Sequence, residues 1–571
     1  MRPVIERAMP ARDVLAALDG LDRITARLYA SRGVRSLEET ETSLKHLLPI
    51  GSLEHVDAAV DLLVGHRDHR IVVVGDFDAD GATSAALMLR CLRSMGFADV
   101  SYLVPNRFEY GYGLSPEIVA VAARTEPALL ITVDNGISSL EGVAAARAAG
   151  MDVLVTDHHL PAAELPDANV IVNPNQPGSR FESRALAGVG VAFYVLAALG
   201  RRLEAAGIEG AARIPAAYLD LVALGTVADV VPLDHNNRIL VDQGLQRIRA
   251  GRTVPGIRAL IEQSGRQLDD AVSTDLGFVV GPRINAAGRL QDIAVGIECL
   301  LTDDPAAAQQ YATELDRINR ERRDIETDMR EQAFEYVERM RAENLPPCVC
   351  VFDRSWHQGI VGLVAARVRE RCHRPVIAFA RDRDGLLKGS ARSIPGVHAR
   401  DLLEAVRAED PALIVKFGGH AMAAGLSLEE ARLDEFRNAV SRMLGKLYPG
   451  ADFSGAIVCD GSLPDEALTL RFARQLRAAG PWGSGFPEPT WHGRFTIVEQ
   501  RVVGESHLKL KVRPDGGKTL LDAIAFNQAG PSWRGPVELA YRLDVNEYRG
   551  AASAQLVIEQ IAAVGAVESS A

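Results

Sequence analysis

The sequence predicts an α/β protein of several domains: a mostly parallel sheet, a long connecting helix, a second and smaller α/β unit, and a C-terminal β-barrel or sandwich. Three observations carry this reading. Short β-branched runs alternate with Ala- and Leu-rich stretches between residues 70 and 172, residues 306–343 contain neither Gly nor Pro, and beyond residue 451 apolar and polar residues alternate in short runs between turns. At 571 residues the chain is also too long for one hydrophobic core.

Residues 1–50 read as short helices. Arg70-Ile-Val-Val-Val-Gly75 is a continuous β-branched run, as expected of a strand buried on both faces. Ala82 to Met95 reads as a helix stopped by Gly96, and Asp99 to Val104 as the next strand. The alternation continues with a helix over 115–125, a strand over 128–133, a helix over 138–149, and strands over 152–156 and 169–172. Two helical stretches follow, 190–207 and 214–228. Pro305 to Glu343, with charges of both signs, reads as a connecting helix exposed on several faces that holds two domains apart, ended by Pro346-Pro347. A second α/β unit starts at Cys348-Val-Cys-Val-Phe352 and runs to about Tyr448. Phe495–Val498 and Leu508–Val512 read as strands of the last part. The expected divisions are 1–50, 51–304, 305–345, 346–450 and 451–571.

With 47% hydrophobic and 24% charged residues, and only 50 Gly and 28 Pro, the composition excludes a disordered or fibrous chain. The longest uncharged stretch, Ala185 to Gly200, falls short of the roughly 20 apolar residues that a bilayer span needs. The N-terminus reaches no apolar signal core, so the cytoplasm is the expected compartment. Six scattered cysteines without a CxxC pair argue against a zinc ribbon or a disulfide framework. A net charge of −12 points away from indiscriminate nucleic-acid binding. Yet Arg371, Arg374, Arg381, Arg383, Lys388, Arg392 and Arg400 face only Asp382 and Asp384, a basic segment that fits either a solvated face or a binding patch.

The first strand leads into Gly75-Asp76-Phe77-Asp78-Ala79-Asp80-Gly81. Carboxylates at alternate positions point to one side of an extended chain and repel unless a cation offsets them or one carboxyl stays protonated. A helix cap would use one such Asp, but not easily three. The next strands end in Val133-Asp134-Asn135-Gly136 and Thr156-Asp157-His158-His159. In a parallel sheet these carboxyl ends line one crevice, so the side chains can converge. Asp229, after an apolar stretch, is a further candidate, although a cap role fits it as well. A mostly carboxylate set with one or two imidazoles suits Mn²⁺ or Mg²⁺ better than zinc, and its size suits two ions sharing an Asp.

In this order, Asp76-Phe-Asp-Ala-Asp80-Gly81, Val133-Asp-Asn-Gly136 and Asp157-His158-His159 resemble the DHH phosphoesterase family. Val104-Pro-Asn-Arg107, Gly111-Tyr-Gly-Leu114, Gly281-Pro-Arg-Ile-Asn-Ala-Ala-Gly-Arg289 and Phe417-Gly-Gly-His420 resemble its single-strand-specific 5′→3′ DNA exonucleases. The resemblance implies that Asp76 and Asp78 serve one Mn²⁺ or Mg²⁺ ion, Asp134 bridges, and Asp80, His158 and Asp229 complete the second. It implies catalytic roles for His159, Asp157 and Asp134. Asp stands at 76 where related pyrophosphatases carry His, which argues against that branch.

The second α/β unit resembles a DHHA1 domain, which would bring Ser390, Arg392, Gly419 and His420 to substrate beside Arg107, Arg283, Asn285 and Arg289. The C-terminal part resembles an OB fold; with only 5% aromatic residues in the chain no dense stacking surface is expected there, and Trp482, Phe486 and Trp491 are the nearest stacking candidates. The implied activity is hydrolysis of single-stranded DNA from the 5′ end to 5′-mononucleotides, in recombination and repair. A single-strand-binding protein and a RecQ-type helicase are the implied partners, and a monomer without a membrane is expected. Two alternatives stand: a phosphodiesterase for very short oligonucleotides or a nucleotide bisphosphatase, whose relatives are generally shorter, and a non-catalytic replication scaffold, which would have lost metal ligands.

Overall fold

The computed structural model describes residues 2–104, 113–382, 385–504, 506–530, 532–548 and 551–564. The chain divides into two compact units, one formed by residues 3–316 with 457–571 and the other by residues 317–456.

In the first unit the N-terminal 50 residues hold short helices and also a strand. β1 (Val4–Glu6) pairs in parallel with Ile457–Cys459, more than 450 residues away. The main sheet contains β2 (Arg70–Val74), β3 (Asp99–Leu103), β4 (Leu129–Val133), β5 (Asp152–Thr156) and β6 (Val170–Val172) in the order β3-β2-β4-β5-β6, all parallel. Chain direction across the sheet reverses between β2 and β4, the switch point at which such sheets open a crevice beyond their carboxyl ends. Ile71 to Val74 and Leu129 to Val133 are wholly buried, which explains why these runs are apolar but for Thr132.

The helix after β2 spans Ala79–Ser94, three residues earlier than its apolar pattern suggests, because Asp78 caps it. The Gly188–Ala205 and Leu219–Ala228 helices pack against it. The uncharged stretch from Ala185 is thus core helix. Among the described residues no single helix is long and apolar enough to cross a membrane.

The Pro305–Glu343 helix has the expected bounds, and the division between the units falls within it. It is not exposed all round: Ala308, Ala312, Leu315, Met329, Ala333 and Val337 are buried, an apolar stripe at helical spacing.

The second unit has a mixed sheet of β7 (Val349–Phe352), β8 (Val376–Arg381), β9 (Leu386–Arg392), β10 (Lys416–Gly419) and β11 (Ala423–Glu429) in the order β10-β11-β9-β8-β7. Only β7 and β8 are parallel.

Back in the first unit, β12 (Ile457–Cys459) is the partner of β1. β13 (Trp491–Val503), β14 (His507–Pro514), β15 (Leu521–Ala525), β16 (Gly535–Tyr548) and β17 (Ala551–Ala563) close a barrel in the order β13-β14-β15-β17-β16. Trp491, Phe495, Leu508, Leu510, Val512 and Tyr541 fill it. Alternate residues along each strand point inward, which accounts for the sequence alternation.

Trp482, Phe486 and Trp491 are not a stacking surface. All three are buried; Trp482 and Phe486 stack on each other at 5.1 Å, and Arg238 lies 4.2 Å over Phe486. Their apolar area is used in packing.

Candidate metal centre

The ends of β2, β4 and β5 bring the acidic residues together. Asp76, Asp78 and Asp134 each offer an oxygen within 4.8 Å of the others, and Asp80, His158 and Asp229 form a second such group. Asp134, His158 and His159 form a third, so Asp134 belongs to both sides of the cluster.

Local chain geometry fixes each member. Asp78 Oδ1 accepts the Asp80 and Gly81 amides at 3.0 Å each, and Asp76 Oδ1 accepts the Phe77 amide at 2.8 Å. The two oxygens of Asp80 accept the Gly188 and Val189 amides at 2.7 and 3.0 Å, at the positive end of the Gly188–Ala205 helix. The backbone-binding role of an Asp in a cap is therefore present, at more than one of the three. Gly81 lets this first helical turn approach Asp76, because a Cβ there would lie 2.6 Å from the Asp76 amide nitrogen.

Asp134 takes a left-handed φ of +61°, and a Cβ at Gly188 would lie 2.6 Å from its own Cβ. Asn135 ties the strand ends together by donating to the carbonyls of Val74 at 3.2 Å and Val133 at 2.9 Å. Asn173 and Asn175 hold the next loop through the carbonyls of His159 and His158 at 2.9 and 2.6 Å. The sequence reading missed Gly188, Asn135, Asn173 and Asn175 as supports. A Gly at a helix start and Asn residues directly after strands were the signals for them.

Asp157 stands behind the cluster. Its Oδ1 accepts the His158 and His159 amides at 2.7 and 3.1 Å and faces His159 Nδ1 at 2.7 Å, while Oδ2 accepts the Ile137 amide at 2.9 Å. Burial alone would raise this carboxyl, but the charge of His159 and these donors hold it down to about 2. Burial likewise opposes the His159 imidazolium, yet the Asp157 carboxylate outweighs it and lifts His159 to about 9. Nδ1 is then the donor to Asp157.

The rest of the cluster is under electrostatic load. Burial, and next the Asp229 charge, push Asp80 up to about 7, and burial with Asp78 does the same to Asp229. Asp134 is raised well above its ordinary value by burial and by the charges of Asp80, Asp78, Asp229 and Asp76. Asp134 Oδ1 and His158 Nε2 are buried without a hydrogen-bond partner. Carboxylates that resist ionising together, beside two buried atoms with lone pairs to give, fit divalent cations bound mainly through oxygen.

The remaining candidates divide. Arg107 lies outside the described residues. Asn285 accepts the Ala79 amide at 2.8 Å, so it braces the turn that carries Asp78 and Asp80. Arg283 is buried and bound to Asp316 Oδ1 through Nε and Nη2 at 3.0 and 2.8 Å. Arg289 is half-buried on the same Gly281–Leu290 helix.

In the second unit, Ser390 and Arg392 on β9 pair directly with Gly425 and Ala423 of β11, and Gly419 ends β10 beside His420. Arg392 donates from Nη1 to Ser390 Oγ at 2.9 Å and to its neighbour's carbonyl at 2.8 Å. No carboxylate among the described residues pairs with it, and burial followed by the Arg369 charge lowers its pKa. Three other members of the basic segment have acidic partners, Arg371 with Glu338, Arg381 with Glu430 and Lys388 with Asp382, while Arg374 donates to the Leu345 and Pro346 carbonyls. Arg383 and Asp384 lie outside the described residues.

A five-stranded parallel sheet with this set of carboxylates and histidines at its strand ends is the arrangement of a DHH phosphoesterase, and a model of the DHH family N-terminal domain matches residues 70–226. Models of the DHHA1 domain and of the RecJ OB domain match residues 345–446 and 459–560. The single-stranded-DNA-specific exonuclease RecJ of Dickeya dadantii is 53% identical, over 98% of each chain. The crystal structure of RecJ in complex with Mn²⁺ from Thermus thermophilus superposes with a TM-score of 0.82 at 32% identity, covering 99% of this chain and 80% of that one. The Mg²⁺ complex from the same organism gives 0.74 at 30% identity, covering 98% and 78%. The chain belongs to the RecJ family of single-stranded-DNA-specific exonucleases.

Proposed function

We propose that this protein hydrolyses single-stranded DNA from the 5′ end, releasing 5′-mononucleotides, with two Mn²⁺ or Mg²⁺ ions held by the acidic cluster. The observation that carries the reading is the pair of three-residue ligand groups, Asp76–Asp78–Asp134 and Asp80–His158–Asp229, linked through a third group in which Asp134 meets His158 and His159; Asp134 would then be the residue shared by two ions. When bound, such ions activate water and offset charge on phosphate oxygens.

This chain's residues do the rest. Asp157 orients His159 and keeps it protonated at neutral pH, so that an imidazolium meets the charge that grows on the phosphate. Arg392, without a carboxylate of its own, offers a guanidinium to phosphate, with Ser390, Gly419 and His420 nearby. Arg107 and Arg289 add further phosphate contacts. Arg283 reaches phosphate only by giving up part of its bond to Asp316, and Asn285 acts by holding the Asp78 turn.

A monomer working in the cytoplasm, in recombination and repair, fits this reading. A single-strand-binding protein and a RecQ-type helicase would supply the strand. The test is digestion of single-stranded DNA labelled at either end, with Mn²⁺ and with chelator, beside the duplex. Metal-dependent loss from the 5′ end of the single strand supports the proposal; cleavage of dinucleotides alone would favour the short-oligonucleotide enzyme.

A further inference from the structure

Away from the metal centre, Arg213, Arg247 and Arg252 line one cavity of about 320 Å³, with Ala216 and Ala217 as its apolar wall. The Gly188–Ala205 helix measures the separation. Gly188, at its start, packs against Asp134, whereas Gly200 packs on the turn that carries Arg213: a Cβ there would lie 2.5 Å from the Ala211 carbonyl oxygen. At 1.5 Å of rise per residue the two contacts are roughly 18 Å apart. The cavity is therefore not part of the metal centre.

Arg213 ends the Ala211–Arg213 turn, Arg247 lies in the last turn of the His235–Arg249 helix, and Arg252 folds back on that helix by donating its amide to the Arg247 carbonyl at 2.9 Å. Arg247 Nη1 donates to the Gln243 carbonyl at 2.8 Å. Among the described residues none of the three forms an ion pair, whereas Arg202 and Arg258 on adjoining stretches meet Asp61 and Glu262 at 2.7 and 3.6 Å. The carboxylate that acts on Arg247 is Asp220, which is wholly buried and committed elsewhere: its Oδ2 accepts the Thr253 hydroxyl and the Val254 amide at 2.7 and 2.8 Å. Burial raises the Asp220 pKa, which weakens its charge, and burial followed by the Arg252 charge lowers that of Arg247. Three guanidinium groups around one cavity repel one another unless an anion lies between them.

We propose that this cavity is a second anion site, which binds the phosphate chain of a nucleoside triphosphate or of an inorganic oligophosphate between Arg213, Arg247 and Arg252. The cavity has the size of a small ligand site. Guanidinium forks match phosphate oxygens two at a time, and three of them match several linked phosphates better than one. No aromatic ring lines the cavity, so nothing there stacks a base, and recognition falls on the phosphates.

The test is calorimetric titration of the full chain at saturating Mg²⁺ with inorganic triphosphate, with ATP and with a 5′-mononucleotide. Wild type binds inorganic triphosphate at a site that the double variant Arg213→Gln, Arg252→Gln weakens by about tenfold or more and that Arg392→Gln leaves unchanged. Both substituted arginines are exposed, so the double variant loses no thermal stability without ligand. The mononucleotide binds about tenfold more weakly than triphosphate. ATP that binds as inorganic triphosphate does marks an inorganic oligophosphate as sufficient, and tighter ATP binding marks a nucleoside triphosphate as the source; both support the site. Equal triphosphate binding in wild type and the double variant overturns it, as does a mononucleotide that binds as tightly as triphosphate. An equal loss of affinity for single-stranded DNA in the double variant also overturns it, because the arginines would then belong to a nucleic-acid track.

Discussion

Asp134 Oδ1 lies 3.1 Å from His158 Nε2, a close contact that lacks hydrogen-bond geometry, and neither buried atom makes a hydrogen bond elsewhere. Two polar atoms left in that state cost stability unless something fills the space between the cluster's oxygens and this nitrogen. Both residues come from the ends of adjacent parallel strands, so the sheet itself imposes the pairing.

Asp134→Asn keeps the volume and removes the shared charge. Activity falls by about a thousandfold, read as initial rates at saturating Mn²⁺. A variant with full activity would remove Asp134 from the centre.

Metal-free protein loses stability as pH rises from about 4 to about 7. Asp80 and Asp229 titrate near 7 when folded against 3.8 unfolded, so the folded state binds more protons across that window and the stability slope is negative. The Asp157–His159 pair does not mask this. The Asp157 contribution is fully present above about 3.8, and the His159 contribution is full below about 6.5 and begins to be lost above it, in the same direction as the carboxyls; His158, held below its ordinary value by burial, works the other way, one imidazole against two carboxyls. The thermal midpoint of chelated protein drops by roughly 5 °C between pH 4.5 and 7, and Mn²⁺ at pH 7 recovers it. A midpoint that rises over this window would contradict the assignment.

Asp157→Asn removes the charge that holds the His159 proton. In metal-free protein the His159 imidazole, followed by NMR, moves from about 9 toward its ordinary value near 6.5. Turnover falls about 10- to 100-fold while Mn²⁺ affinity changes little. An unmoved His159 titration would mean that other groups hold the proton.

Gly188→Ala tests the backbone behind the site. The added Cβ would sit 2.6 Å from the Asp134 Cβ and 2.9 Å from its Cα, atoms that cannot swing away. The variant loses about 2 kcal/mol of stability in denaturant titration and weakens Mn²⁺ binding. Ordinary stability with ordinary Mn²⁺ binding would show that the loop has slack.

Much of the site was legible because its residues follow strands whose β-branched runs are unmistakable; Asp76 to Asp80, Asp134 and Asp157 to His159 each come directly after one. What was hidden is mostly long-range. The partner of Arg283 lies 33 residues on, in a charged helix where Asp316 looks like any surface carboxylate. β1 could not be read from Val4–Glu6, whose partner strand is far off in sequence. Trp491 looked like a stacking residue because composition does not distinguish a ring that faces DNA from one that faces a barrel core. Its place with Phe495 in the inward register of β13 was the missed clue.

Titration of metal-free protein with Mn²⁺, followed by electron paramagnetic resonance, tests the proposed two-ion centre bridged by Asp134. The account predicts two ions per chain with spin coupling between them, and loss of that coupling in Asp134→Asn. One ion per chain, or two that remain uncoupled in wild type, would contradict it.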